Sequence, residues 1–140
     1  MFVLDTNVVS ELRNPRRADP RVVAWIDAKL QSTLFLSAVT VFELALGVEL
    51  IDRRDAVQGA ALREWLNGRV LATYAGRILP MDTTVALWCA RLHVPNPRPK
   101  RDSVIAATAL VHGMTVVSRD VSHFAPMGVR IINPWSSGSA

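Results

Sequence analysis

Phe2-Val3-Leu4-Asp5-Thr6-Asn7-Val8-Val9-Ser10-Glu11-Leu12 decides how this chain is read. Three apolar residues in a row, too few for a helix, predict a short buried strand over Phe2-Val3-Leu4. A helix is expected to follow from Asn7 to Arg13, so strand passes into helix with Asp5 at the junction. That is the repeating unit of an α/β sheet. An isolated carboxylate at such a junction is costly to bury unless it is paired, protonated or held by a cation.

Working outward, the same alternation recurs. Asp19-Pro20 reads as an N-cap with proline at the first helical position. Val22, Val23, Trp25, Ile26 and Leu30 then share one helical face. Thr33-Leu34-Phe35-Leu36-Ser37 predicts a second strand, followed by a helix from about Val39 to Leu50. A further helix is expected from about Asp55 to Ala72, with Val57, Ala61, Trp65 and Leu66 at helical spacing. Arg77-Ile78-Leu79-Pro80 predicts a third strand, and Asp82 the N-cap of a helix to about Leu92. Pro95-Asn96-Pro97-Arg98-Pro99-Lys100-Arg101 reads as a stiff basic loop. Asp102 to His112 is expected to be helical, with Gly113 at the C-cap. Met114 to Ser118 and Val129-Arg130-Ile131-Ile132 are the last two expected strands. The alternation predicts a parallel sheet covered on both faces. One domain over residues 1–135 is expected, with a disordered tail over residues 136–140.

Four acids stand out against this frame. Asp5 ends one apolar run. Glu43 is the only charge between Ala38 and Val48, and Asp102 opens the run Val104 to Val111. Asp120 follows Thr115-Val116-Val117-Ser118. Ligands of open α/β sheets bind beyond the carboxyl ends of the strands. Asp5 and Asp120 sit just past strand ends, and Asp102 heads a helix that starts at the same edge. Glu43 lies about one turn into a helix that follows a strand. Four segments can thus deliver carboxylates to one cleft. An all-oxygen set points to Mg²⁺ or Mn²⁺ rather than Zn²⁺. Each acid also has an ordinary role open to it: Asp5 as a helix cap, Asp102 as a first-turn acid, Asp120 as a turn residue. Glu43 has the weakest such alternative, because its neighbours Val39, Val41, Phe42, Leu44 and Leu46 are apolar.

Composition bounds the rest. Half of the 140 residues are apolar and 20% are charged, a globular balance. No run approaches the roughly 20 apolar residues of a membrane span. The N-terminal residues do not resemble a signal peptide, so a cytoplasmic location is expected. Cys89, the single cysteine, excludes an internal disulfide and reads as a core filler. His93, His112 and His123 show no ligand spacing. Trp25, Trp65, Trp88 and Trp135 read as core or subunit-interface residues. The net charge of +4 suits a polyanion bound around an acidic pocket, though it also suits simple solubility. Arg98, Lys100 and Arg101, beside Asp102, and Arg119 are the candidate contacts to the backbone of such a polyanion.

Leu4-Asp5-Thr6-Asn7-Val8-Val9-Ser10-Glu11-Leu12 resembles the opening motif of PIN-domain ribonucleases. So do Glu43 in the helix after the second strand, Asp102-Ser103-Val104-Ile105-Ala106-Ala107-Thr108-Ala109 and Val117-Ser118-Arg119-Asp120-Val121-Ser122-His123-Phe124. The length and the closing Ile131-Ile132-Asn133-Pro134-Trp135 resemble VapC-type toxins of type II toxin–antitoxin systems, in their FitB-like branch. The resemblance implies a three-layer α/β/α sandwich and Mg²⁺- or Mn²⁺-dependent endoribonuclease activity, with Asp5, Glu43, Asp102 and Asp120 as catalytic metal-binding acids. Thr6, Asn7 and Ser118 match positions that support the metal shell. A small cognate antitoxin is implied as partner, with a cationic side chain among Asp5, Glu43 and Asp102. It would cover apolar surface around Val8, Leu12, Val22 and Trp25 and on the Val39 to Leu50 helix. A homodimer through these helices or the Asp55 to Ala72 helix is also expected.

Other readings fit less well. A haloacid-dehalogenase-type phosphatase needs an aspartate where this chain has Asn7. A receiver domain needs an acidic pair where Val3-Leu4 precede Asp5. A dinucleotide-binding module needs a glycine-rich turn that Asp5-Thr6-Asn7 does not supply. The strongest alternative from another class is a catalytically silent nucleic-acid-binding subunit whose acidic pocket docks a partner.

Overall fold

A computed structural model of the chain describes residues 1–136. Strands β1 (Phe2–Leu4), β2 (Leu34–Ser37), β3 (Ile78–Leu79), β4 (Thr115–Val117) and β5 (Ile131–Ile132) form one sheet in the order β3-β2-β1-β4-β5, parallel throughout. The first strand therefore lies in the centre, flanked by β2 and β4. Val3 pairs with Phe35 on one side and Val116 on the other. Of the expected tail, Ser136 is described and exposed, and residues 137–140 lie outside the described residues.

Helices cover both faces, because successive strand residues point to opposite sides. Leu4, Leu34, Leu36 and Val117 pack against α1 (Thr6–Glu11), α2 (Pro20–Asp27), α3 (Ala38–Arg54) and α4 (Ala56–Trp65). Val3 and Val116 pack against Ile105, Ala106 and Ala109 of α7 (Lys100–His112) and Phe124 of α8 (Val121–Phe124). Val85 and Cys89 of α6 (Thr83–Leu92) close that second layer over Val104 and Ala107. The result is the expected three-layer sandwich, with Cys89 as a core filler.

Local signals place most boundaries. Asp19 caps α2, its side chain accepting from the Arg21 amide at 2.9 Å, and Asp82 caps α6 through the Val85 amide at 2.9 Å. Gly113 ends α7 at φ 66°, a left-handed position that suits glycine. The helix expected to begin at Asp102 begins instead at Lys100, so Lys100 and Arg101 belong to its first turn.

The region after Asp55 departs most from expectation. The single helix foreseen there is α4, a π turn (Leu66–Val70) and α5 (Leu71–Thr73). Val57 is 82% exposed and Ala61 is exposed, while Leu62, Leu66 and Val70 are buried. The reason is Gly59, which rests on the backbone of Asp52, so a Cβ there would meet the Asp52 Cα at 2.5 Å. That approach sets the rotation of α4 and turns Val57 outward. Val8, Val22 and Trp25, expected to be covered by a partner, are instead buried inside the chain by its own first layer. Trp135 is buried too, whereas Trp88 is 37% exposed.

Gly59→Ala is expected to destabilise the chain by about 1–3 kcal/mol through overpacking. Urea unfolding measures it, and an unchanged midpoint would mean that α3 and α4 are not held this closely.

Candidate functional site

Asp5 lies at the end of β1, where its amide continues the ladder by donating to the Val117 carbonyl at 2.9 Å. Its side chain is 4% exposed in residue terms and carries two bonds. Oδ1 accepts from the Thr6 amide at 2.7 Å, and Oδ2 accepts from the Ser118 hydroxyl at 2.6 Å. Asp5 thus caps α1 and also faces the sheet edge. Burial pushes its carboxyl up to about 6 from an ordinary 3.8. The negative charges of Asp102 and Asp120 push the same way, and the Ser118 and Thr6 bonds oppose them.

The remaining acids come from three other elements. Glu43 points from α3 toward α1, where the Thr6 hydroxyl lies 3.0 Å from Oε1 and 3.3 Å from the buried Thr40 hydroxyl. Its other oxygen stands 3.6 Å from the Arg101 guanidinium, which also lies over the Phe42 ring. Asp102, in the first turn of α7, has Oδ2 2.9 Å from His123 Nδ1. A carboxylate only accepts, so Nδ1 carries the proton of that bond. Asp120 accepts from Asn7 Nδ2 at 3.2 Å. Asn7 also reaches Ser118 Oγ at 3.4 Å, and that hydroxyl accepts from the Asp120 amide at 2.9 Å.

These residues share the carboxyl-end edge of the sheet, and Thr6, Asn7 and Ser118 join the acids there by direct bonds. Their grouping stops short of a closed cage. Among the described residues, no three Asp, Glu, His or Cys side chains are arranged to hold an ion as they stand. Glu43 is turned to Thr6 and Arg101, and Asp102 to His123. The donor chemistry nonetheless suits a hard divalent cation, being all oxygen. Asn7 Oδ1 adds a buried acceptor at the same edge that has no partner among the described residues.

Arg98, Arg101 and Arg119 are each occupied locally. Arg98 Nε donates to the Leu92 carbonyl at 3.2 Å, and Arg119 lies over the Trp135 ring at 4.5 Å. Lys100 is exposed at the start of α7.

Two histidines hold parts that sequence spacing did not reveal. His123 meets Asp102 from α8, across a separation in sequence of 21 residues. His93 accepts at Nδ1 from the Arg98 amide at 3.2 Å, which leaves its proton on Nε2, 3.0 Å from Ser103 Oγ. Ser103 donates in turn to the Lys100 carbonyl at 2.7 Å. This chain of bonds ties the proline-rich loop to the turn that carries Asp102. The available signal was His123 three residues after Asp120, one helical turn away.

The raised Asp5 pKa has a direct thermodynamic consequence. Between pH 3.8 and about 6 the folded chain holds this proton more tightly than the unfolded chain, so stability falls as pH rises through that window. The full difference is about 3 kcal/mol, absent as a stabilising contribution at neutral pH. Without divalent ions, Asp5→Asn should lose less melting temperature across that window than the parent chain. An equal decline in both would remove Asp5 as its source.

A PIN domain family model matches residues 2–126 of the chain. The chain is 44% identical over 145 residues to a VapC ribonuclease, Y4jK, of Sinorhizobium fredii, covering 96% of this chain and 98% of that one. It is 41% identical over 140 residues to the toxin FitB of Neisseria gonorrhoeae, covering 96% and 99%. The crystal structure of FitAcB from Neisseria gonorrhoeae superposes with a TM-score of 0.88 at 40% identity, over 96% of this chain and 99% of that one. A structure of FitAB bound to an IR36 DNA fragment does so at 0.88 and 39%, over 97% and 96%. With the family match spanning most of its length and relatives this similar along nearly all of it, the chain belongs to the PIN domain family.

Proposed function

We propose that this chain is the toxin of a toxin–antitoxin pair and acts in the cytoplasm as a Mg²⁺- or Mn²⁺-dependent endoribonuclease. The observation that carries the reading is the buried Asp5 carboxyl, held by Ser118 and crowded by Asp102 and Asp120 at one sheet edge. Crowded carboxylates repel, and a divalent cation relieves that repulsion. The names of the relatives, a VapC ribonuclease and a toxin, support the same reading.

Asp5, Glu43, Asp102 and Asp120 would hold the cation, with Asn7 and Ser118 fixing the carboxylates of Asp5 and Asp120 and Thr6 that of Glu43. A cation held there supplies an acidified water and neutralises charge on the scissile phosphate. For Glu43 and Asp102 to take part, each must loosen its present partner, Arg101 or His123. Arg101 beside Glu43 also indicates how the site would accept a side-chain cation from an antitoxin. A small partner inserting an arginine among Asp5, Glu43 and Asp102 would replace the metal's charge and block the site.

The test is cleavage of RNA by the pure protein with added Mg²⁺ or Mn²⁺. Cleavage should need the metal and fall to background in Asp5→Asn and Asp102→Asn. Wild-type rates in either variant would mean the site is misassigned. Metal-independent RNA binding without cleavage would favour the silent-subunit alternative.

His123 is expected to orient Asp102. His123→Ala should weaken Mn²⁺ binding, read by calorimetry, by about 10- to 100-fold, as loss of an outer hydrogen bond does elsewhere. His123→Asn, which keeps a donor near the same place, should restore most of it. Equal affinities in all three proteins would leave His123 without that role.

A further inference from the structure

We propose that a trough on the first helical layer is the track along which the RNA strand enters, with Arg13, Arg17 and Arg69 binding its phosphates. This rests on the ribonuclease reading and gives that site its substrate path.

Two cavities make the trough. One, of about 230 Å³, is lined by Thr6, Glu43, Ser10, Arg13 and Trp65, with residues of α3 and Leu62 of α4, mostly apolar, making up the rest of its wall. The second, of about 540 Å³, also has Ser10, Arg13 and Trp65 in its wall and extends to Arg17 and Arg69. The shared residues join them into one concave path from the carboxylate edge across α1 and α4.

Charge sets the occupant. Arg13, Arg17 and Arg69 line the path, and Glu11 is the acid among the larger cavity's lining residues. That acid already accepts from the Asp19 amide at 2.7 Å. None of the three arginine side chains has an ion pair or hydrogen-bond partner among the described residues. Several of the chain's other arginines are occupied: Arg21 and Arg63 are paired to acids, Arg101 to Glu43, and Arg77 and Arg98 to backbone carbonyls. Unspent guanidinium forks along a concave wall match a row of phosphate oxygens. Trp65, half-buried where the cavities meet, offers a face on which a base can stack. Glu43 is in the wall of the smaller cavity, so a strand held along the arginines is led to the acidic edge.

The measurement is binding of a fluorescein-labelled single-stranded RNA of mixed sequence, by anisotropy at several salt concentrations. The full chain carrying Asp5→Asn is used so that nothing is cut. Adding Arg13→Ser, Arg17→Ser and Arg69→Ser together should weaken binding by about tenfold or more. The slope of log K against log salt should shrink by about 2, at roughly 0.7 per phosphate contact on a single strand. Arg53→Ser with Arg54→Ser, exposed at the end of α3, should leave both unchanged. If the triple variant does not fold, Arg17→Ser alone should shrink the slope by about 0.7. Unchanged affinity and slope would overturn the proposal. So would intact RNA binding with lost binding of a polyglutamate peptide, which would give the trough to a protein partner. Because no turnover is read, failure of the wild-type chain to cleave RNA would sink the nuclease reading and not this one.

Discussion

A carboxyl group buried at the end of the central strand is what the rest of this structure accommodates. Asp5 sits where β1 meets α1, with β4 alongside, so it cannot be solvated without parting the sheet. The chain meets it with the Thr6 amide and the Ser118 hydroxyl. Those bonds reduce the cost of the charge without removing it, and the pKa stays high. A fold kept for stability alone would place an apolar residue here. The strain is local, and it lies where the other acids converge.

Each neighbouring acid has found its own relief. Glu43 leans on Thr6 and Arg101, Asp102 on His123, and Asp120 on Asn7. The resting site is a set of satisfied carboxylates, each on a separate element, rather than a preformed cage. That arrangement lets an acidic edge persist in the folded chain. It also means that Arg101 and His123 would compete with any cation drawn to Glu43 and Asp102.

Much of this was legible in the sequence because burial leaves a pattern. Short apolar runs marked all five strands and period-three-to-four runs most helices, and Asp19-Pro20, Asp82 and Gly113 marked helix ends. The four acids were visible as charges in apolar surroundings. What stayed hidden depends on contacts between elements. The rotation of α4 follows from Gly59 against Asp52, which no periodicity within α4 reveals. His123 meets Asp102 only once α8 folds onto α7. Which arginines are spent and which are free depends on neighbours distant in sequence, as with Arg63 on Glu49 and Asp52.

Strand order also bears on when the site comes into being. β1 is made first, yet it lies between β2 and β4, and Asp5 closes its bond to Ser118 across a separation of 113 residues. A chain emerging from the ribosome has its first layer of helices available early. It has no Ser118 or Asp120 to set beside Asp5 until β4 follows. Non-local pairing of this kind is slow and comes late in folding. The acidic edge therefore assembles only once β4 has joined the sheet, later than the helices of the first layer.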